Sequence, residues 1–344
     1  MTFIFSKFDQ SRRDFLRSIG IATVGVFLPW QFSQFRLGRN PLLGRIAING
    51  VGLYDGPEFS AKKQKELFRD EIHIISEVVK SSDKKARNRT WYHLEEDGYA
   101  HSAYIQPVRY SIQQVVENIP DEGRVGEISM PYVDSYTKPG GGVRSYRLYY
   151  SAMFWVKSIE KDAQGKSWYK LLDDRYYSYY YIPVEGMRII PYNELKPISP
   201  NIDPKEKFIQ VDLQNQVLKA YESEKLVFTS QISSGVLNKE GGFSTPKGWY
   251  RTSLKRPCRH MAASSSEFGS GFDLPGVPWV SYFTGNGIAF HGTYWHNDYG
   301  TPHSHGCVNM TPKAARWIYL WTDPRVPNDK YYYEEAHGTQ VQVI

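Results

Sequence analysis

The chain has 344 residues, a formal net charge of +6 and a hydrophobic fraction of 41%, which suits two or three packed domains at roughly 100–200 residues each. A basic balance fits an anionic partner such as nucleic acid, an acidic membrane or a wall polymer. No dense Lys/Arg stripe interleaved with aromatic residues is present in the sequence, which argues against nucleic acid. The aromatic fraction of 15%, with 26 tyrosines, favours strands over helices, so a mainly β fold is expected.

The first forty residues are interpreted as an export signal. The paired arginines Arg12 and Arg13 precede an apolar run over 19–30. This run is shorter than the about 20 residues that a membrane span needs, and it fits the apolar region of a signal peptide behind a charged head. The pattern resembles the twin-arginine export signal. The protein is therefore expected in the cell envelope, in the periplasm or the cell wall. Segment 1–40 lacks a clear small-x-small cleavage site and could remain as an anchor in the cytoplasmic membrane.

Two consecutive stretches, residues 41–108 and 109–195, have similar predicted strand patterns. A Trp-Tyr pair followed by Leu, Asp and a second Tyr begins at Trp91 and recurs 77 residues later at Trp168. A fixed repeat of this kind indicates internal duplication, here of a small β-barrel.

The first of the two copies resembles the bacterial SH3-like domains of wall enzymes, with Gly98 supplying a hairpin turn beside aromatic residues. The second copy has Arg175 in place of that glycine. Segments that begin at Tyr104 and Tyr181 also match and are interpreted as equivalent endings. The aromatic residues could bind the wall, or they could form the cores of two spacer barrels.

Residues 196–204 carry three prolines and predict a stiff linker that leads to a domain over 205–344. Period-2 alternation and turn signals predict mostly strands there. The predicted strands cover 208–213, 217–221, 226–233, 249–254, 279–283 and 287–291, with a tight turn at 245–248. One helix is expected, because Thr311 can cap it and Pro312 suits its first position, and it should continue to Trp321.

The strongest chemical signal lies between the last predicted strand, 287–291, and the predicted helix. His291 ends an apolar strand, and a short loop then leads to the string Ser304-His305-Gly306-Cys307-Val308-Asn309. A thiol is a poor nucleophile until it loses its proton, and a nearby imidazole can take that proton. The strand end and the loop end can be brought within hydrogen-bond reach. Gly306 would let the backbone approach a substrate closely, so that its N–H and that of Cys307 could face a developing oxyanion.

The string and its upstream histidine resemble the signature of the YkuD-type L,D-transpeptidase catalytic domain, over about residues 205–344. The resemblance implies that His291 is the base and that Cys307 is acylated. The implied supporting residues, which orient the base or line the oxyanion site, are Gly292, Ser304, His305, Gly306 and Asn309. Many members have Arg at the position of Asn309, so contacts to a substrate carboxylate are expected to differ. The implied fold is two small SH3-like β-barrels followed by a β-sandwich-like catalytic domain with one or two short helices.

The implied reaction cross-links peptidoglycan stem peptides through a Cys307 thioester with release of D-Ala, and it needs no cofactor or metal. Hydrolysis of the same thioester would make the chain an L,D-carboxypeptidase. A non-catalytic wall-binding protein that uses its barrels is a further alternative.

A zinc hydrolase is the remaining alternative, because four histidines and one cysteine of this region could supply N and S ligands. These potential ligands are His291, His296, His303, His305 and Cys307. The sequence lacks a helical HExxH pattern and a second cysteine pair, which disfavours this alternative, and His296 and His303 are expected on a substrate-facing loop or in solvent. Cys258 is expected to be a small buried residue, with no disulfide to Cys307.

Overall fold

The computed structural model describes residues 41–95, 98–111, 113–236, 243–264 and 271–344, so the predicted export signal lies outside the described residues. The described residues form four β-sheets and one α-helix, which confirms the mainly β prediction. None of the helices among these residues has the length and apolar character needed to cross a membrane.

The first module (residues 41–108) is a seven-stranded sheet. Its strands are β1 (Leu43–Ile46), β2 (Val51–Tyr54), β3 (Lys63–Leu67), β4 (Ile72–Lys80), β5 (Thr90–Leu94), β6 (Gly98–His101) and β7 (Ile105–Val108). They are hydrogen-bonded in the order β3-β2-β6-β5-β4-β1-β7. The expected β5–β6 hairpin is present, but Gly98 is the first residue of β6. It is required there because a Cβ would lie 2.6 Å from Leu53 Cγ.

The second module (residues 109–195) repeats this architecture. Its strands are β8 (Arg124–Ile128), β9 (Tyr132–Lys138), β10 (Gly141–Tyr149), β11 (Met153–Lys161), β12 (Ser167–Asp173), β13 (Ser178–Pro183) and β14 (Met187–Ile189). Their order, β10-β9-β13-β12-β11-β8-β14, is the order of the first module when each module is numbered from its own first strand. A shared seven-strand topology in adjacent modules is the outcome that a duplication predicts.

Two details of the duplication differ from the sequence-based expectation. The strand pairings among the described residues give open orders with an edge strand at each end, and no closed barrel is found among them. The equivalence of the segments at Tyr104 and Tyr181 is wrong, because Tyr181 lies in β13 whereas Tyr104 ends the 3-10 helix before β7. The counterpart of β7 is β14, which also follows a 3-10 helix. The Trp-Tyr match holds, since Trp91 and Trp168 are both buried on the fifth strand of their modules.

The C-terminal domain (residues 205–344) contains two five-stranded sheets and the helix α1 (Pro312–Trp321). One sheet has the order β17-β16-β15-β24-β18 and the other β22-β21-β20-β19-β23. The strands of this domain are β15 (Lys207–Asp212), β16 (Val217–Glu222), β17 (Lys225–Gln231), β18 (Gly248–Arg251), β19 (Leu254–Ala263), β20 (Phe272–Tyr282), β21 (Ala289–Gly292), β22 (Val308–Met310), β23 (Tyr333–Glu334) and β24 (Gln340–Val343). The predicted cap is confirmed, because Thr311 Oγ1 accepts a hydrogen bond of 3.1 Å from Ala314 N.

The main core lies between the two C-terminal sheets and α1, and it extends into the second module. Val211, Phe290 and Ile318 belong to one buried cluster that also contains Met153 and Trp155 of the second module. The predicted linker is likewise fixed in place, because the amide of Ile198 donates to Leu320 O over 3.0 Å. The second module therefore packs on the C-terminal domain through a continuous apolar core.

Candidate active site

His291 is held in β21 with one ring nitrogen already engaged. The side chain is 3% exposed, and its Nδ1 lies 3.0 Å from the carbonyl oxygen of Gly292. Because a carbonyl only accepts, Nδ1 carries the ring proton and Nε2 presents a lone pair. Burial lowers the pKa of His291 to about 4 and outweighs the hydrogen bond to Gly292. The imidazole is therefore neutral at pH 7, as a general base must be.

Gly292 is needed at its position for steric reasons. A Cβ there would lie 2.8 Å from Pro278 Cγ and 2.9 Å from Pro312 Cα, both closer than real Cβ contacts. The absence of a side chain allows β21 to approach the start of α1. The carbonyl that orients His291 is thus fixed by close packing on both sides.

A parallel pairing across the intervening loop brings Cys307 next to the strand that carries His291. Phe290 pairs with Val308 and His291 with Asn309, so Cys307 stands one residue before this ladder. At the strand spacing and rise of a parallel sheet, the α carbons of Cys307 and His291 are about 8 Å apart on the diagonal, within the combined reach of the two side chains. The sulfur lies near the residues that precede β21, with Sγ 4.0 Å from Gly287 O.

The thiol of Cys307 is protonated in this state. Burial raises its pKa to about 11, although the backbone N–H of Ala289 partly offsets the effect. Because the thiol and the imidazole of His291 are both neutral, the thiolate is not formed in advance. Attack of the sulfur on a carbonyl carbon would therefore require a base to take the thiol proton at the same time.

A tight turn before Cys307 is cross-linked by Ser304. Its hydroxyl donates to Cys307 O and accepts a hydrogen bond of 3.1 Å from Gly306 N. The N–H of Gly306, one of the two predicted oxyanion donors, is therefore already hydrogen-bonded to Ser304. The second predicted donor, the N–H of Cys307, is not bonded to Ser304. Gly306 has φ of +112°, a left-handed conformation that other residues rarely adopt. Its carbonyl accepts from Thr245 Oγ1 over 2.7 Å, a contact that the predicted turn at 245–248 did not reveal.

His305 lies at the mouth of the site between two aromatic rings. Its ring centroid is 4.9 Å from that of Phe243 and 5.2 Å from that of Phe272. Burial lowers the pKa of His305, which favours a neutral ring. The expected shaping role is consistent with this aromatic wall.

Asn309 and His296 both face inward, which for His296 differs from the expected position in solvent. Asn309 is 2% exposed, and its amide lies 2.9 Å from His296 Nε2. His296 is 6% exposed, so the prediction that it lies in solvent is wrong. Since its Nδ1 accepts from Asp298 N over 3.2 Å, Nε2 carries the proton and the Asn309 amide presents its oxygen. Burial, followed by the neighbouring His303, lowers the pKa of His296 to about 3.

The remaining candidate ligands and thiols do not form a metal centre in the part of the chain that the structure describes. No group of three His, Cys, Asp or Glu side chains is arranged there to hold an ion. Cys258 and Cys307 are both free thiols, and Cys258 is buried. Burial raises the pKa of Cys258, so it stays a thiol.

A cysteine at a turn, a neutral buried imidazole on the adjacent strand and a backbone carbonyl that fixes the ring tautomer together define a site suited to cysteine-dependent acyl transfer. Residues 206–343 match the YkuD family, described as the L,D-transpeptidase catalytic domain. This part of the chain is therefore a YkuD-type L,D-transpeptidase catalytic domain.

Individual proteins are also similar to part of this chain. YciB of Bacillus subtilis (strain 168), whose name assigns it provisionally to the L,D-transpeptidases, is 29% identical over 129 residues, covering 34% of this chain and 62% of YciB. The chain thus spans less than two thirds of that relative. An L,D-transpeptidase from Mycobacterium smegmatis is 21% identical with a TM-score of 0.32, over 40% of this chain and 58% of the other. The catalytic domain of the E. faecium L,D-transpeptidase acylated by ertapenem is 22% identical with a TM-score of 0.31, over 41% of this chain and 98% of the other.

Proposed function

We propose that this chain is an exported L,D-transpeptidase that cross-links peptidoglycan stem peptides. The observation that carries the proposal is the neutral His291, with its Nδ1 fixed by Gly292 O, on the strand beside Cys307. This pair lies within the residues that match the family of L,D-transpeptidase catalytic domains.

The reaction proceeds in two balanced halves. In the first, Cys307 Sγ attacks the carbonyl of the third residue of a tetrapeptide stem while His291 Nε2 takes the thiol proton. The C–N bond to the terminal D-Ala breaks, His291 protonates the departing amine, and a thioester remains. In the second, an amine of a neighbouring stem attacks the thioester, His291 takes the amine proton, and the thiol is regenerated with a new amide bond.

Apolar side chains lie behind Cys307 on its buried side. Cys307 packs against the buried cluster of Val277, Val280 and Ala289, to which Met261 and Tyr282 also contribute. These buried apolar groups keep water away from one side of a Cys307 thioester, which favours an amine acceptor over hydrolysis. This supports the transferase over the L,D-carboxypeptidase.

Export and wall attachment complete the proposal. The twin-arginine pattern at Arg12 and Arg13 supports export. The exported protein would face peptidoglycan whether it stays anchored in the membrane or is released. The two duplicated modules, expected to be SH3-like, would add contacts to the wall.

The test is a product analysis with a tetrapeptide donor and a stem-peptide amine acceptor. A cross-linked product with loss of one D-Ala is expected from the wild type and not from Cys307→Ala. A tripeptide product alone would identify an L,D-carboxypeptidase, and activity that survives Cys307→Ala but is lost with a chelator would identify a zinc hydrolase. Wall pelleting by an otherwise inactive wild type would leave only the wall-binding alternative.

A further inference from the structure

The loop between the base and the cysteine is tied to the first module. This connecting loop (residues 293–303) accepts or donates hydrogen bonds at several positions along its length. The bonds are Arg45 Nη2 to Tyr294 O at 2.8 Å, Asn297 N to Ala103 O at 2.6 Å, Asn297 Nδ2 to Tyr92 OH at 2.8 Å, Asn88 Nδ2 to Asp298 Oδ1 at 2.8 Å and Arg87 Nη1 to Gly300 O at 3.4 Å.

Two of these contacts use buried polar groups, which makes them costly to break. Arg45 is 1% exposed and is held by Asp70 at 3.3 Å and by the ring face of Tyr149 at 4.0 Å. Tyr92 is 5% exposed. A buried donor or acceptor that loses its partner keeps the full desolvation cost. Separation of the connecting loop from the first module would therefore be energetically unfavourable.

The same loop also touches the catalytic pair. The ring of Trp295 lies 5.9 Å from that of His291, and both Trp295 and Cys307 pack on the cluster that contains Ala289. A displacement of the loop would therefore be felt at both reacting side chains.

Polar side chains form a second chain of contacts from the connecting loop to His291. Asp298 Oδ2 lies 2.6 Å from His303 Nε2, and the ring of His303 stacks on His296 with centroids 5.0 Å apart. His296 contacts the amide of Asn309, which pairs with His291 in the ladder. Burial opposes the charge on Asp298, but the hydrogen bonds from His303 and Asn88 lower its pKa, so Asp298 is an ionised acceptor for both.

We propose that the first module is a structural part of the active site and that Asn88 is a positioning residue. Asn88 holds Asp298, and through it the connecting loop, in the arrangement that sets His291 against Cys307. This inference rests on the proposed function, because the reaction that Asn88 would support is the proposed transpeptidation.

The sharpest variant is Asn88→Asp. It keeps the side-chain oxygen that accepts from Thr90 N over 3.0 Å and replaces the amide donor by a carboxylate that faces Asp298. Asp298→Asn supplies a donor from the other side, so the double variant can restore the link in reverse. Asn49→Ala is the matched control, because Asn49 is exposed in the same module and its side chain accepts from Arg69 N. Thermal unfolding establishes that each variant is folded.

The readout is the acylation of Cys307 by ertapenem, followed by intact mass over time at several drug concentrations. We expect Asn88→Asp to lower the limiting first-order acylation constant about tenfold, while the half-saturating concentration changes less than twofold and Asn49→Ala matches the wild type. In the Asp298→Asn background, Asn88→Asp should cost less than twofold. Equal fold losses in both backgrounds, or no loss in the wild-type background, would overturn the positioning role.

Two provisions keep the test decisive. If Asn88→Asp does not fold, Tyr92→Phe is measured with Asn297→Ala in the same kind of cycle. Alkylation of Cys307 by iodoacetamide at pH 7 also needs proton removal by His291 but no transpeptidase substrate. A wild type that ertapenem does not acylate would count against the proposed function. The alkylation cycle would still decide the positioning role. We expect Asn88→Asp to lower the rate of Cys307 alkylation about threefold, and an unchanged rate would refute the positioning role.

Discussion

Two buried histidines have pKa values that their surroundings shift in opposite directions. His291 is 3% exposed and His260 is 2% exposed. His260 lies between carboxylates, with Nδ1 2.9 Å from Asp173 Oδ2 and Nε2 2.5 Å from Asp273 Oδ1. Burial disfavours the charged ring of His260, but the two carboxylates outweigh it and raise its pKa. His291 has only the Gly292 carbonyl, and burial lowers its pKa to about 4.

The difference shows what separates a structural histidine from a base. His260 uses both ring nitrogens and joins the second module, through Asp173, to strands β19 and β20 of the C-terminal domain. Tyr146 and Tyr176 contact its ring edge-on at 5.5 and 5.4 Å, which completes the enclosure. His291 leaves Nε2 without a fixed proton, and that lone pair is what proton transfer requires.

Removal of the base should have the largest effect. His291→Gln keeps a polar side chain of similar size but cannot take the thiol proton, so the rate of Cys307 acylation should fall about 10²–10⁴-fold. Intact mass against time with ertapenem measures this rate. His260→Gln is the matched control and should leave the rate per folded molecule within about twofold. Acylation of His291→Gln at the wild-type rate would refute the assignment of the base.

Removal of the structural histidine should instead lower stability. His260→Leu leaves Asp173, which is 2% exposed, without its charged partner, and a broken buried pair costs about 3–5 kcal/mol. Urea unfolding at pH 6 gives the free energy of unfolding. Adding Asp173→Asn should recover part of the loss. A loss below about 1 kcal/mol would mean that the pair is not a stabilising contact.

The two histidines should also impose opposite pH dependences on stability. His291 titrates near 6.5 when unfolded and at about 4 when folded, so its neutral form favours folding above pH 6.5. Its contribution is lost as pH falls, by on the order of 3 kcal/mol at pH 4. His260 has a raised folded pKa, so its contribution is full below the unfolded pKa and is lost as pH rises through the folded value.

The pH prediction is checked by difference between wild type and variants. The stability of wild type relative to His291→Gln should fall between pH 7 and pH 4, whereas the deficit of His260→Leu should shrink as pH rises. Parallel curves for the two variants would contradict the opposite pKa shifts of the two histidines.

The smallest effect is expected at the outer carboxylate. Asp273 is half-exposed, with 52% of its side-chain surface accessible, so solvent screens its interaction with His260. Asp273→Asn should cost about 1 kcal/mol or less and lower the pKa of His260, which NMR titration of the ring protons can follow. A loss of unfolding free energy as large as that of His260→Leu would mean that Asp273, and not Asp173, is the main stabilising partner of His260.

The sequence was sufficient for the local chemistry of the site. The strand before His291, the glycine-bearing turn before Cys307 and the capped helix from Pro312 all depend on neighbouring residues, and their local patterns carry that information. The two-module repeat could also be recognised, because Trp91 and Trp168 occupy equivalent buried strand positions.

What the sequence could not show are contacts between distant segments. The bond between Asn88 and Asp298 joins residues 210 positions apart, and no local period marks it. His260 carries no motif, since its partners Asp173 and Asp273 lie on other strands. His296 was misjudged as a loop residue near solvent because the loop in which it lies is buried by a module that comes earlier in the chain. The open strand order of the modules likewise depends on long-range pairing.

The most direct test of the account is the intact mass of the full chain after incubation with ertapenem, compared among wild type, His291→Gln and Cys307→Ala. One drug adduct on Cys307 of the wild type, much slower addition to His291→Gln and none on Cys307→Ala is the predicted result. A wild type that stays unmodified while iodoacetamide still labels Cys307, or an adduct that persists in Cys307→Ala, would contradict it.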